Sequence, residues 1–168
     1  RVIGIQQGEA IFSMSVSFQV LESGLEHQHQ IPDIPPPEAC HDLQTMRKQY
    51  LASIPQVGLD QENQPQPIEL RFVEPFNEFS PDPAPPLQHV WIKTAGQMPK
   101  NNRLNQCLLA YASDLTLLDT SYRPHGISWK NHKFQVASLD HTMWFHKPFL
   151  TDEWMLYQQD SPFSGGAR

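Results

Sequence analysis

At 168 residues the chain fits one ordinary domain, or one domain and part of another. It has 12 Lys and Arg against 18 Asp and Glu, a formal net charge of −6, and no basic run, which argues against nucleic-acid binding. The two cysteines lie far apart and predict a reducing compartment, and no apolar stretch is long enough for a membrane span. A phosphate-bearing ligand would need a local basic patch, for which the candidates are Arg123, Lys130, Lys133 and Lys147.

The first 19 residues predict a β-hairpin, because two β-patterned runs flank residues 7–9. In the second run the apolar face is formed by Phe12, Met14, Val16 and Phe18. Residues 21–67 differ in character, since they are rich in proline and other breakers but contain one helical pattern at 38–54. We interpret them as a Pro-rich linker with a docked helix.

A second unit begins at residue 68. Alternating patterns predict strands at 68–73 and 89–95, and two long strands at 134–146 and 153–159. Between the two pairs, residues 104–118 have helical periodicity and are apolar almost all round, which is typical of a buried helix. This order predicts an α+β fold in which an antiparallel sheet wraps around one central helix.

One carboxylate lies inside the predicted strand at 134–146. Strand alternation places Asp140 on the same face as Val136 and Trp144, where a charge is costly unless it is partnered. Asp140 is therefore a candidate general base or water-orienting residue. The alternative is a structural aspartate that binds backbone groups at a strand bend.

Ser161 follows the last predicted strand and precedes Pro162, at a turn from which a side chain can project into a cleft. It is also interpretable as an ordinary turn residue, and no Gly-x-Ser-x-Gly elbow surrounds it. A Ser161–His146–Asp140 triad is conceivable. His141 and His146 have opposite strand parity and would point apart, so we predict no metal site, and we expect no cofactor.

Four segments together resemble one family, acyl-CoA thioesterase II, the TesB-like thioesterases. Their sequences are LLAYASD at 108–114, ASLDHTMWFH at 137–146, EWMLY at 153–157 and SGGAR at 164–168. The opening IFSMSVSFQ at 11–19 and the linker sequence IPPPE at 34–38 resemble that family's first half and linker. The resemblance covers nearly the whole chain.

The resemblance implies a double-hotdog fold, of which this chain would contain most of the second half and the end of the first. The expected parts are the closing hairpin of a first hotdog (1–20), the linker (21–67) and a second hotdog (68–168) that lacks its last strands. It also implies hydrolysis of fatty acyl-CoA to free fatty acid and coenzyme A by a water that an Asp, a Ser or Thr, and a Gln hold. Asp140 matches the Asp and Ser161 the hydroxyl residue, whereas the Gln is expected in a strand beyond Arg168.

The remaining expectations have two sources. The resemblance implies a fatty acyl-CoA substrate as the partner and a homo-oligomer, whereas the expectation of no nucleic acid and no membrane insertion comes from the charge and from the lack of a long apolar stretch. A cytoplasmic location is expected, or a peroxisomal one in a eukaryote. The alternative function is a catalytically inactive hotdog module that binds acyl-CoA or mediates oligomerisation.

Overall fold

The computed structural model describes residues 1–52 and 66–166. The chain divides into two compact units, Arg1–Asp33 and Ile34–Arg168. No helix in the described ranges combines the length and the apolar character needed to cross a bilayer.

The first unit contains the predicted hairpin. Strands β1 (Val2–Gln6) and β2 (Glu9–Met14) pair antiparallel across a two-residue turn. Gln7 and Gly8 have φ values of 52° and 86°, the positive values that a tight turn of type I′ requires. The predicted continuation of the second strand to residue 19 is wrong. Because Val2, the first residue of β1, pairs with Met14, residues beyond Met14 have no partner on β1.

The second unit is built on a four-stranded antiparallel sheet with the order β3-β4-β5-β6. The strands are β3 (His41–Asp42), β4 (Ile68–Phe72), β5 (Leu87–Thr94) and β6 (Met155–Asp160). The helices are α1 (Leu43–Ala52), α2 (Asn102–Ser113) and α3 (Asp119–Tyr122), with 3-10 turns at Pro37–Ala39 and Arg123–His125. The predictions of strands near 68–73, 89–95 and 153–159 are confirmed.

The core lies between this sheet and α2. Alternate residues of β4 and β5 face inward, and Ala112 of α2 packs against them. Burying each large apolar side chain of this kind contributes about 1.5–3 kcal/mol. The buried apolar residues of these strands are Ile68, Leu70, Phe72, Val90 and Ile92.

Helix α1 begins later than the predicted residue 38. Asp42 caps it: its Oδ1 accepts hydrogen bonds from the Thr45 backbone N–H at 2.8 Å and from the Thr45 hydroxyl at 2.9 Å. The two residues before the helix are held in extended form because they pair with β4. The last two residues of the predicted helix, 53 and 54, lie outside the described residues.

Helix α2 is shorter and less buried than predicted. It ends at Ser113, and a turn leads from there to α3. The expectation of burial all round is wrong for the described residues: Tyr111 is 54% exposed, and Leu104 and Leu115 are also exposed. The sheet covers one side of α2 only. The buried polar residues of that helix are Asn105 and Ser113, and Asn105 Oδ1 accepts from the Thr151 N–H and hydroxyl.

The predicted strand at 134–146 is also wrong. Residues 133–146 form no strand, and the side chains of Leu139, Asp140 and Trp144 are exposed. No described strand pairs with this segment, and an alternating pattern by itself does not supply the partner that a strand needs. Asp140 therefore does not lie on a buried apolar face, contrary to the prediction.

The sheet core gives a stability prediction. Phe72 is 1% exposed, so Phe72→Ala should lower the free energy of unfolding by about 3–5 kcal/mol through lost burial and the cavity left behind. The matched control is Phe163→Ala, because Phe163 is 81% exposed and its loss should cost less than about 0.5 kcal/mol. Urea unfolding followed by tryptophan fluorescence measures both. Equal losses would contradict the assigned core.

Candidate functional site

The end of α2 is the point where several chain segments meet. We call residues 113–116 the α2 exit turn. Hydrogen bonds join it to the segment that carries Asp140, to β6 and to the first residues of β5. The candidate site is built around this turn.

Two contacts hold the Asp140 segment against the exit turn. The Ser138 hydroxyl donates to Asp114 Oδ1 at 3.3 Å, and His141 Nε2 lies 3.2 Å from Ser113 Oγ. Ser113 directs its own proton at the Ala110 carbonyl, 3.0 Å away, which leaves it to accept Nε2–H from His141. We assign His141 the tautomer protonated at Nε2 on that ground.

Asp140 lies between these two anchors. Its side chain is exposed, and within residues 1–52 and 66–166 no hydrogen bond or ion pair involves it. Its carboxylate oxygens are therefore open to solvent, while the backbone on either side of it is tethered. This arrangement is compatible with a water-orienting role and does not match the structural alternative, in which the carboxylate would bind backbone groups.

Strand β6 brings Ser161 toward the same helix end. Tyr157 donates its hydroxyl proton to the Ser113 carbonyl at 3.1 Å. Burial raises the pKa of Tyr157, and the charge of Asp114 adds to this, while a hydrogen bond with Gln159 opposes it. Beyond β6, the Ser161 N–H donates to the Pro86 carbonyl at 2.9 Å, and the half-buried Ser161 hydroxyl has only a marginal contact of 3.5 Å with the Phe163 carbonyl.

The structure thus gathers the elements that carry Asp140 and Ser161 at one helix end. Within the part of the chain that is described, no hydrogen bond links Asp140, His146 and Ser161 to each other, so the conceivable triad is not assembled. Nor does any cluster of three or more His, Cys, Asp or Glu in those residues have the geometry to hold a metal ion.

A buried polar cluster next to Ser161 was missed in the sequence. Gln88, Gln159 and Thr116 are 0%, 2% and 3% exposed. Gln159 Nε2 donates to Thr116 Oγ1 at 2.7 Å, and Gln88 Nε2 donates to Gln159 Oε1 and to the Thr116 carbonyl. The available signal was parity, since Gln88 follows the inward phase of Val90 and Ile92.

A cavity of about 880 Å³ lies beside this cluster, and Gln88 and Thr116 form part of its wall. Charged groups line it as well. Arg47 and Glu78 form a two-pronged ion pair, with Nε–Oε1 and Nη2–Oε2 distances of 2.5 and 2.9 Å. Two of the predicted phosphate-binding candidates, Arg123 and Lys130, line the same cavity.

Asp119 is the most perturbed carboxyl group of this cavity. Burial raises its pKa to about 7 and the charge of Glu78 adds to the effect, while a hydrogen bond from Trp129 and the nearby Arg123 and Arg47 oppose it. Nothing in the sequence pattern distinguishes Asp119, since its environment comes from residues distant along the chain.

Comparison with known proteins decides the family. The model of the acyl-CoA thioesterase family matches residues 61–168, more than half of the chain. The chain belongs to the acyl-CoA thioesterase family. This confirms the resemblance and places the exit turn, Asp140 and Ser161 all inside the matched region.

Individual thioesterases are similar along nearly the whole chain. Acyl-coenzyme A thioesterase 8 of Mus musculus is 38% identical over 99% of this chain and 54% of its own length. Acyl-CoA thioesterase 2 of Haemophilus influenzae is 34% identical over 99% of this chain and 58% of its own length. The chain therefore spans about half the length of the curated relatives it matches.

A solved structure supports the fold. The crystal structure of an acyl-CoA thioesterase II, TesB2, from Mycobacterium marinum matches with a TM-score of 0.69 and 36% identity, over 96% of this chain and 55% of that one. The prediction of an α+β hotdog fold is confirmed by this likeness and by the antiparallel sheet on α2.

The cavity gives a prediction about pH. Asp119 keeps a proton in the folded state up to a pKa of about 7, whereas its ordinary value is 3.8. Its contribution to stability is therefore full below pH 3.8 and is lost as the pH rises through about 7. Asp119→Asn should remove this dependence, so that the variant gains stability relative to the native chain between pH 5 and about pH 8. Urea titrations across this range measure the difference, and the exposed Asp160→Asn is the control. A constant difference for Asp119→Asn would contradict the assignment.

Proposed function

We propose that the protein hydrolyses fatty acyl-CoA thioesters to free fatty acid and coenzyme A, with a water molecule oriented by Asp140 and Ser161. The observation that carries the proposal is the meeting of these two residues' elements at the α2 exit turn, within the region that matches the family. The relatives named above are thioesterases, which supports the same chemistry.

The residues suit this reaction. The Asp140 carboxylate accepts a proton from water as the water oxygen bonds to the thioester carbonyl carbon. The Ser161 hydroxyl forms a hydrogen bond with the same water and orients it toward the carbonyl carbon. The carbonyl oxygen carries the resulting negative charge, which hydrogen-bond donors of the site stabilise. Collapse of this intermediate breaks the carbon–sulfur bond, and the coenzyme A thiolate leaves and takes up a proton. A thioester is activated enough for this attack to need no covalent enzyme intermediate.

The test is release of thiol from acyl-CoAs of increasing chain length by the purified full-length protein. Asp140→Asn should lower kcat by about 100-fold or more, the usual contribution of a positioned base. Ser161→Ala should lower kcat by about 10-fold or more, and Ser161→Thr, which keeps a hydroxyl, should retain more activity. The control is Asp33→Asn, a change at an exposed aspartate outside the site.

The outcomes distinguish the two functions that the sequence predicts, acyl-CoA hydrolysis and a catalytically inactive module. Unchanged rates for Asp140→Asn and Ser161→Ala would overturn the site. Binding of acyl-CoA without turnover by the native protein would favour the catalytically inactive module. The expected homo-oligomer and the cytoplasmic or peroxisomal location stay predictions, for light scattering and fractionation to test.

A second prediction concerns the tether beside Asp140. Since His141 donates Nε2–H to Ser113, a glutamine amide, whose nitrogen lies near the position of Nε2, should replace it better than an asparagine amide. His141→Asn should therefore lower kcat by up to about 10-fold, the effect expected for the loss of one positioning hydrogen bond. His141→Gln should keep kcat close to the native value. Equal kcat values for the two variants would show that the tether has no influence on turnover.

A further inference from the structure

Gln88 and Gln159 are polar residues at buried positions, where their side chains carry a free-energy cost. Both face the interior, where the neighbouring inward residues Val90 and Ile92 are apolar. Gln88 Oε1 is buried and has no hydrogen-bond partner in the described part of the chain. An orphaned buried acceptor costs about 1–3 kcal/mol, and an apolar residue at the same position would avoid that loss. Stability alone therefore does not account for the pair.

The amide orientations are fixed by their surroundings. Gln88 Nε2 meets two oxygens, Gln159 Oε1 and the Thr116 carbonyl, so a flipped Gln88 would oppose oxygen to oxygen. Gln159 then must donate from its own Nε2 to Thr116 Oγ1. The three residues form one directional network that connects β5, β6 and the exit turn.

The network lies two residues before Ser161. Gln88 pairs with Gln159 in the β5–β6 register, and the next steps of the ladder bring Ser161 opposite Pro86. Pro86 accepts from the Ser161 N–H but has no N–H to donate in return, so the ladder ends there with a single bond. The buried amides supply the side-chain ties that fix the end of β6 relative to the exit turn.

Resting on the function proposed above, we infer that Gln159, with Thr116 and Gln88, is a positioning residue that fixes Ser161 relative to the Asp140 segment. The exit turn binds Gln159 through Thr116 and the Asp140 segment through Ser113 and Asp114. One short turn therefore sets the distance between the two predicted catalytic groups. A displacement of about 1 Å at such a site costs up to about 100-fold in rate.

The sharpest test is Gln159→Glu, which changes one nitrogen for oxygen. When protonated, the introduced carboxyl donates to Thr116 Oγ1 and accepts from Gln88, as the amide does; when ionised, it can no longer donate and a charge is buried. The kcat of Gln159→Glu relative to the native protein should therefore be near native at acidic pH and fall about 10-fold or more as the pH rises to 9. Loss of the ultraviolet thioester absorbance follows the reaction at every pH.

Gln158→Glu is the matched control. Gln158 is the preceding residue on β6, and its side chain is exposed on the opposite face of the sheet. The new charge at residue 158 should leave the ratio of the Gln158→Glu kcat to the native kcat independent of pH. If Gln159→Glu behaves as Gln158→Glu does, the inference is overturned.

Variants at Thr116 distinguish a loss of positioning from a loss of folded protein. Thr116→Val keeps the shape but removes the hydroxyl, so kcat should fall with little change in KM, and Thr116→Ser should restore it. Activity is expressed per folded protein, measured below each variant's melting transition. A lower melting temperature with native kcat would assign the cluster a purely structural role and overturn the inference. Native rates for Asp140→Asn and Ser161→Ala would instead contradict the proposed function itself. Failure of the inference about Gln159 can therefore be distinguished from failure of the proposed function.

Discussion

The hydrogen bonds of the α2 exit turn are the constraint on which the candidate site depends. Among the strands that the structure describes, none forms a ladder with the segment that carries Asp140, and the ladder that leads to Ser161 ends at Pro86. What aligns these two parts of the chain is a set of side-chain and carbonyl contacts with Ser113, Asp114 and Thr116. A helix end suits this task because its last carbonyl groups have no partner within the helix and remain available to other segments.

The contacts that hold the Ser161 side and the Asp140 side of the exit turn differ in strength. The contacts on the Ser161 side are buried, and hydrogen bonds among buried groups cannot be exchanged cheaply for bonds to water. The contacts on the Asp140 side involve exposed groups, for which water competes. We therefore expect the Ser161 side to be the more rigid of the two and the Asp140 segment to adjust more readily.

The sequence allowed the strands β4, β5 and β6 and the hairpin turn to be predicted, because alternation and turn chemistry are local properties. The alternation at 134–146 was equally clear, but a strand forms only where a partner strand lies beside it, and no local pattern reveals whether one does. Asp140 and Ser161 were predicted as site residues because they match positions in the sequence segments that resemble the thioesterase family. Gln88 and Gln159 could have been noticed as polar residues in an inward phase, whereas Asp119 could not, because its burial and its interaction with Glu78 arise from tertiary contacts.

The wall of the charged cavity also contains apolar side chains. An alkyl chain placed among Arg47, Glu78 and Asp119 would strip water from these groups without returning a hydrogen bond, and such desolvation opposes binding. The apolar side chains of Leu70 and Phe72 line the same cavity, and an apolar group packed against them meets no such cost. Residues of the exit turn line this cavity as well, so a ligand held against these apolar side chains would lie close to the exit turn.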